Sequence, residues 1–129
     1  MNLHNQHGAA LVEMAISITL LVLIVFGTIE FGRALFIKNA LTNAAREGAR
    51  KAVVTKASDV QAKVHESVNN CIPFDKTGLG VKITGTLIAG NPIVVQVTLP
   101  FKTVVPALIP QLNKVTLRGE STMSYEFKN

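Results

Sequence analysis

From Ala9 to Ile29 the chain carries twenty-one residues in which Glu13 is the only ionisable side chain. At about 1.5 Å per helical residue this run is roughly 30 Å long, the thickness of a bilayer's hydrocarbon core. A chain of 129 residues that commits so much to one such helix has room for a single modest domain besides. We therefore expect one transmembrane helix over about residues 9–29. A secretory signal peptide is the rival, but that class has a basic leader and a small-x-small cleavage site after its core. Residues 1–8, MNLHNQHG, hold no Lys or Arg, and the run leaves through Thr28-Ile29-Glu30-Phe31-Gly32-Arg33. The apolar run is read as retained.

Helical patterning continues past the run. In ALFIKNALTNAAREGARKAVV apolar pairs recur at Phe36/Ile37, Ala40/Leu41, Ala44/Ala45, Gly48/Ala49 and Ala52/Val53, with polar pairs between them, the signature of an amphipathic helix. One helix from about Ala9 to Val54 follows, near 70 Å at the standard rise. Ala40, Ala44, Gly48 and Ala52 lie four apart and form a helix-packing stripe of small residues that lets another backbone come close. A second, short helix is expected from Ser58, with Gln61 completing a capping box and Val60, Val64, Val68 and Cys71 on one face. From Gly78 the period becomes two, around Val81 to Leu87, Ile93 to Leu99 and Val115 to Phe127, with Gly90-Asn91-Pro92 as a hairpin turn and Pro106 to Asn113 as a connection. A small antiparallel sheet of three to four strands with one apolar face needs a cover. The amphipathic half of the long helix supplies it, so the fold class is α+β and the domain over 55–129 packs on the upper half of that helix.

The formal charge of +5 is scattered from Arg33 to Lys128 without a basic run, with one Tyr and no Trp to stack bases, and no nucleic-acid partner is expected. Enzyme signatures fail on their spacing. His65-Glu66 opens an H-E-x-x-H zinc site, but Asn69 stands at the second ligand position. Gly78-x-Gly80 lacks a third glycine, and Ser121 has no nucleophile-elbow glycine after it. Cys71 is read as a small buried thiol rather than half of a dyad with His65. The chain is read as a non-enzyme, without metal or cofactor.

Gly8 and Glu13 are the informative positions. A charge at a bilayer's centre costs about 2.5–3.5 kcal/mol, less toward the edge, and tends to mark function. A short polar leader ending in glycine, then a hydrophobic helix with Glu at its fifth position, resembles a prepilin peptidase substrate. Cutting between Gly8 and Ala9 creates an amine one helical turn from Glu13. In a staggered bundle that ammonium pairs with a neighbour's carboxylate, where an unpaired charge is costly.

The stretch GAALVEMAISITLLVLIVFGTIEFGRALF, followed by NAAREGARKAV, resembles the TadE-like pseudopilins of the tight adherence (Tad) pilus apparatus. The matching features fall on Gly8, on Val12 to Ala15, on Phe26 to Arg33 and on Ala44 to Arg50. The resemblance covers about the first 54 residues; beyond them it is general and rests on a strand-rich end closing with TMSYEF. It implies a pilin-like fold and a minor structural subunit, processed by a prepilin peptidase and assembled with other pilin and pseudopilin subunits on the Tad platform. By position, Gly8 and Ala9 flank the cleavage bond and Glu13 is the assembly glutamate. Met14 departs from the tyrosine that the major pilins tend to carry, which favours a minor subunit. The implied location is the bacterial inner membrane, in contact with lipid, with the C-terminal domain in the periplasm and the subunit available to an extracellular pilus.

One count opposes that topology. Lys and Arg are absent before the span, while Arg33, Lys38, Arg46, Arg50 and Lys51 follow it, so the positive-inside rule places the domain in the cytoplasm. Two alternatives also stay open: an uncleaved, membrane-anchored binding module or adhesin, and a type II secretion pseudopilin.

Overall fold

The computed structural model describes residues 3–104 and 115–126, with side chains from residue 8 onward. Its first element is a single α-helix, α1 (Leu3–Val53), of 51 residues. It starts ahead of the expected Ala9. Residues 3–7 hold neither Pro nor Gly, and extending an existing helix through one glycine costs only about 1 kcal/mol. The chain divides into two compact units, Met1–Arg33 and Ala34–Asn129.

In the first unit, α1 is apolar on every side. Leu11, Ile16, Leu20, Leu23 and Ile24 are between 56% and 67% exposed, so no single stripe faces a core as in a surface helix of a globular domain. The two threonines are satisfied within the helix: Thr19 Oγ1 donates to Ala15 O (2.8 Å) and Thr28 Oγ1 to Ile24 O (2.9 Å). That removes free polar groups from a surface suited to hydrocarbon. Among the described residues this is the one helix long and apolar enough to cross a membrane.

The second unit holds the rest of α1, then α2 (Val60–Cys71), β1 (Gly80–Gly85), β2 (Pro92–Pro100) and β3 (Thr116–Ser124). The described strands form an antiparallel sheet in the order β1-β2-β3. The architecture is therefore the expected α+β one, with three strands among the described residues. The connection over 106–113 and Phe127 lie outside the described residues. Gly90 sits in the left-handed region at φ 90°, the conformation that favours glycine in the turn joining β1 to β2.

Register puts one apolar row on the sheet's inner face: Val81 opposite Val97, Ile83 opposite Val95, and Ile93 opposite Met123. Ile93, Val95 and Val97 are completely buried. They join Leu41, Ala44, Ala45, Ala49 and Ala52 of α1 and Val60, Val64 and Val68 of α2 in one core. Two glycines set how closely these layers approach. A Cβ at Gly48 would meet Val68 Cγ2 at 3.0 Å and Val64 Cγ1 and Val95 Cγ1 at 3.3 Å, so α2 and β2 both close on α1 there. Those neighbours are side-chain methyls with some freedom to shift, and alanine is the better helix former by about 1 kcal/mol. We predict that Gly48→Ala changes stability by less than about 1 kcal/mol, whereas Gly48→Leu, which overpacks the same space, loses about 1–3 kcal/mol or more. Denaturant unfolding of the full chain in mild detergent checks both.

The β3 edge is covered by α1. Phe101 N–H donates to Val115 O and Tyr125 N–H to Asn91 O, both at 2.8 Å. With the alternation of an antiparallel ladder, the odd-numbered residues of β3 bond β2 and the even-numbered ones turn their backbone groups to the free edge. Lys38 Nζ donates to Arg118 O at that edge, and just past the strand Glu126 N–H donates to Val53 O (3.2 Å). A helix along an edge blocks pairing with another chain. The buried Tyr125 ties the same end, its hydroxyl donating to Thr55 O (2.9 Å).

The expected capping box at Ser58 does not form. The N-cap is Asp59, which lies in the αR region (φ −109°, ψ −6°) and makes no side-chain cap; Ser58 Oγ donates to Asp59 Oδ1 instead (3.0 Å). A capping side chain reaches the first free amides from an extended backbone. Here the chain is already turning, with Asp59 N–H bonded to Lys56 O (2.9 Å).

Candidate functional site

The expected processing and assembly residues sit near the start of α1. Gly8 and Ala9 are exposed, and a Cβ added at Gly8 would meet nothing within 4 Å. Glu13 is exposed as well, four residues after Ala9 and so on the same helix face one turn on. Around it Val12, Met14 and Ile16 are 61%, 59% and 57% exposed. The result is one carboxylate on an otherwise apolar, uncovered cylinder. Such a surface suits lipid or other helices around it.

The stripe of small residues has a different place. Ala44, Gly48 and Ala52 are buried and Ala40 is half-buried, all turned into the domain's own core. It admits α2 and β2 of the same chain.

No catalytic arrangement is assembled among the described residues. Among the described residues no group of three His, Cys, Asp or Glu side chains comes close enough to hold a metal. His65 is exposed, and Glu66 lies 3.4 Å from Lys63 Nζ. Cys71 corrects the expectation of a buried thiol: it is exposed. It is the last residue of α2, where the backbone turns extended at Ile72 (φ −101°, ψ 113°), and Ile72 takes the buried place that the helical spacing gave to Cys71. The Asp75 carboxyl is held down at about 2 by hydrogen bonds from the Thr77 hydroxyl and amide, and then from Lys102. This exposed group pins a loop turn.

Gly119 went unrecognised from the sequence. It stands at an inward position of β3, and a Cβ there would lie 2.3–2.5 Å from Leu41 C, Leu41 O and Thr42 N. The strand thus touches the backbone of α1 directly. A glycine inside an alternating strand is the signal that marks such an approach.

Searches of curated proteins and of solved structures find no significant match to the chain. One family model does match, described as TadE-like protein, over residues 8–50. The matched stretch opens on Gly8, takes in Glu13, and ends on the Arg50 whose guanidinium pairs with Glu47 at 2.9 Å. Over those 43 of its 129 residues the chain is similar to the TadE-like family, and what that family implies is a Tad pilus-associated protein.

Proposed function

We propose that the chain is a minor, pilin-like structural subunit of a Tad-type pilus, cleaved between Gly8 and Ala9 by a prepilin peptidase and held in the inner membrane by α1. The observation that carries this reading is Glu13: one charge on an exposed apolar helix, one turn past Ala9, inside the segment that matches the TadE-like family. Removing residues 1–8 gives Ala9 a free ammonium. When subunits stagger, that ammonium meets a neighbour's Glu13 in a low-dielectric bundle, which both orients the helices and satisfies two otherwise costly charges. Because α1 runs through the scissile bond, the peptidase must unwind its first turns. Gly8, the weakest helix former there and with no described residue packed on it, lowers that cost.

The domain is assigned to the periplasm, against the count of basic residues after the span. Several of those cations are used by the fold: Arg33 pairs with Glu30 (3.0 Å), Arg50 pairs with Glu47 (2.9 Å), and Lys38 bonds the edge of β3. Partners on this reading are the peptidase, other pilin and pseudopilin subunits, the assembly platform and lipid. Fractionation of sheared pili tests it: the chain is expected in the fibre fraction or in an initiating complex isolated with it. Recovery solely as a monomeric anchor would favour the uncleaved binding module.

A further inference from the structure

Resting on the reading of α1 as a membrane anchor, we propose a register for the bilayer: its hydrocarbon runs from Met14 to Arg33, and Leu35 and Phe36 lie in the lipid headgroup zone on the domain's side. Met14 to Ile29 holds sixteen residues without an ionisable group, about 24 Å of helix and so about 6 Å less than a hydrocarbon core. Four more residues close the gap. Taken from the N-terminal side they draw in Glu13, which is exposed and has no ion pair among the described residues. Taken from the C-terminal side they are Glu30 to Arg33, whose charges cancel. Arg33 Nη1 donates to Glu30 Oε2 at 3.0 Å, with the Glu30 side chain 4% exposed and that of Arg33 38%. A paired carboxylate with a snorkelling arginine is the cheaper pair of charges to place at the hydrocarbon boundary.

The exposed side chains of α1 change character at the matching depth. Phe31, Leu35 and Phe36 are 66%, 47% and 60% exposed. The next exposed ones are Lys38, Asn39, Asn43, Arg46, Arg50 and Lys51. The headgroup zone adds about 5–8 Å beyond the hydrocarbon, three to five helical residues past Arg33, which ends at Phe36 to Lys38. Phe36 is held there by the ring of Phe74, 6.1 Å away between centroids and tilted by 60°. An aromatic ring at the boundary with a lysine just outside it is the arrangement that anchors membrane helices at an interface.

The chain has no tryptophan, so single substitutions give an unambiguous fluorescence signal. The variants Ile24→Trp and Phe36→Trp of the full chain are reconstituted in phosphatidylcholine vesicles whose acyl chains carry bromine near the headgroup or near the methyl end; Leu35→Trp is a second interfacial reporter. The expected result is quenching of Ile24→Trp by deep bromine, with blue-shifted emission and stronger quenching of Phe36→Trp by shallow bromine. Quenching of Ile24→Trp with none at Phe36→Trp or Leu35→Trp overturns the register and leaves the anchor standing. No quenching of Ile24→Trp overturns the anchor, and the register with it.

Discussion

Gly119→Ala is expected to destabilise the domain by about 3 kcal/mol or more, the upper end of what overpacking costs. The added methyl would sit 2.3 Å from the Leu41 carbonyl carbon and 2.5 Å from Thr42 N, and neither atom is the end of a flexible side chain. Both belong to the hydrogen-bonded spine of α1, so relief requires β3 to lift off the helix. Lifting it breaks the Lys38 bond to Arg118 O, exposes Val97 opposite Gly119, and pulls on the Tyr125 hydroxyl bond at the far end of the strand. A domain of this size has about 5–15 kcal/mol in total, so a large share is lost. The same methyl at Gly48 meets movable valine side chains, and the two alanine substitutions should differ sharply. Denaturant midpoints and limited proteolysis of the two variants side by side read the difference. Equal stability would mean that β3 does not rest on the helix backbone.

Glu13→Gln is expected to leave cleavage and domain stability unchanged while abolishing incorporation into the fibre. Glutamine keeps the size and hydrogen-bonding reach of the side chain but not its charge, so it isolates the ion pair. Removing one partner of a buried pair costs about 3–5 kcal/mol, and each 1.4 kcal/mol is about tenfold. The Glu13→Gln chain in sheared fibres should therefore fall by about a hundredfold or more. The domain's unfolding transition serves as the internal control. Wild-type incorporation of a charge-neutral chain would remove the proposed reason for a glutamate there.

The parts of this molecule legible in its sequence are those set by periodicity. An unbroken apolar run, small residues four apart and alternation from Val81 onward each have one physical use, and the helix, the buried Ala44/Gly48/Ala52 face and the Val81, Val95, Val97 row follow from them. What periodicity does not carry is local geometry at the ends of elements. Ser58 and Gln61 have capping-box spacing, yet the turn through Lys56 and Asp59 occupies the backbone the cap needs. Cys71 has the spacing of a buried residue, but α2 ends on it and Ile72 replaces it in the core. Alternation also tells which face of β3 turns inward but not what lies along its edge. The covering of that edge by α1, through Lys38 and Val53, depends on contacts between distant segments. The proposed processing site rests on Gly8 and Glu13, whose spacing points to chemistry rather than to a periodic packing face.

The central claim is that residues 1–8 are removed so that a new amine meets a neighbour's Glu13. The most direct measurement is the intact mass and N-terminal sequence of the protein from native membranes, in cells with and without their prepilin peptidase. A chain beginning at Ala9 with the peptidase present, and at Met1 without it, is the predicted result. A Met1 start in both would contradict the account and make α1 an ordinary anchor.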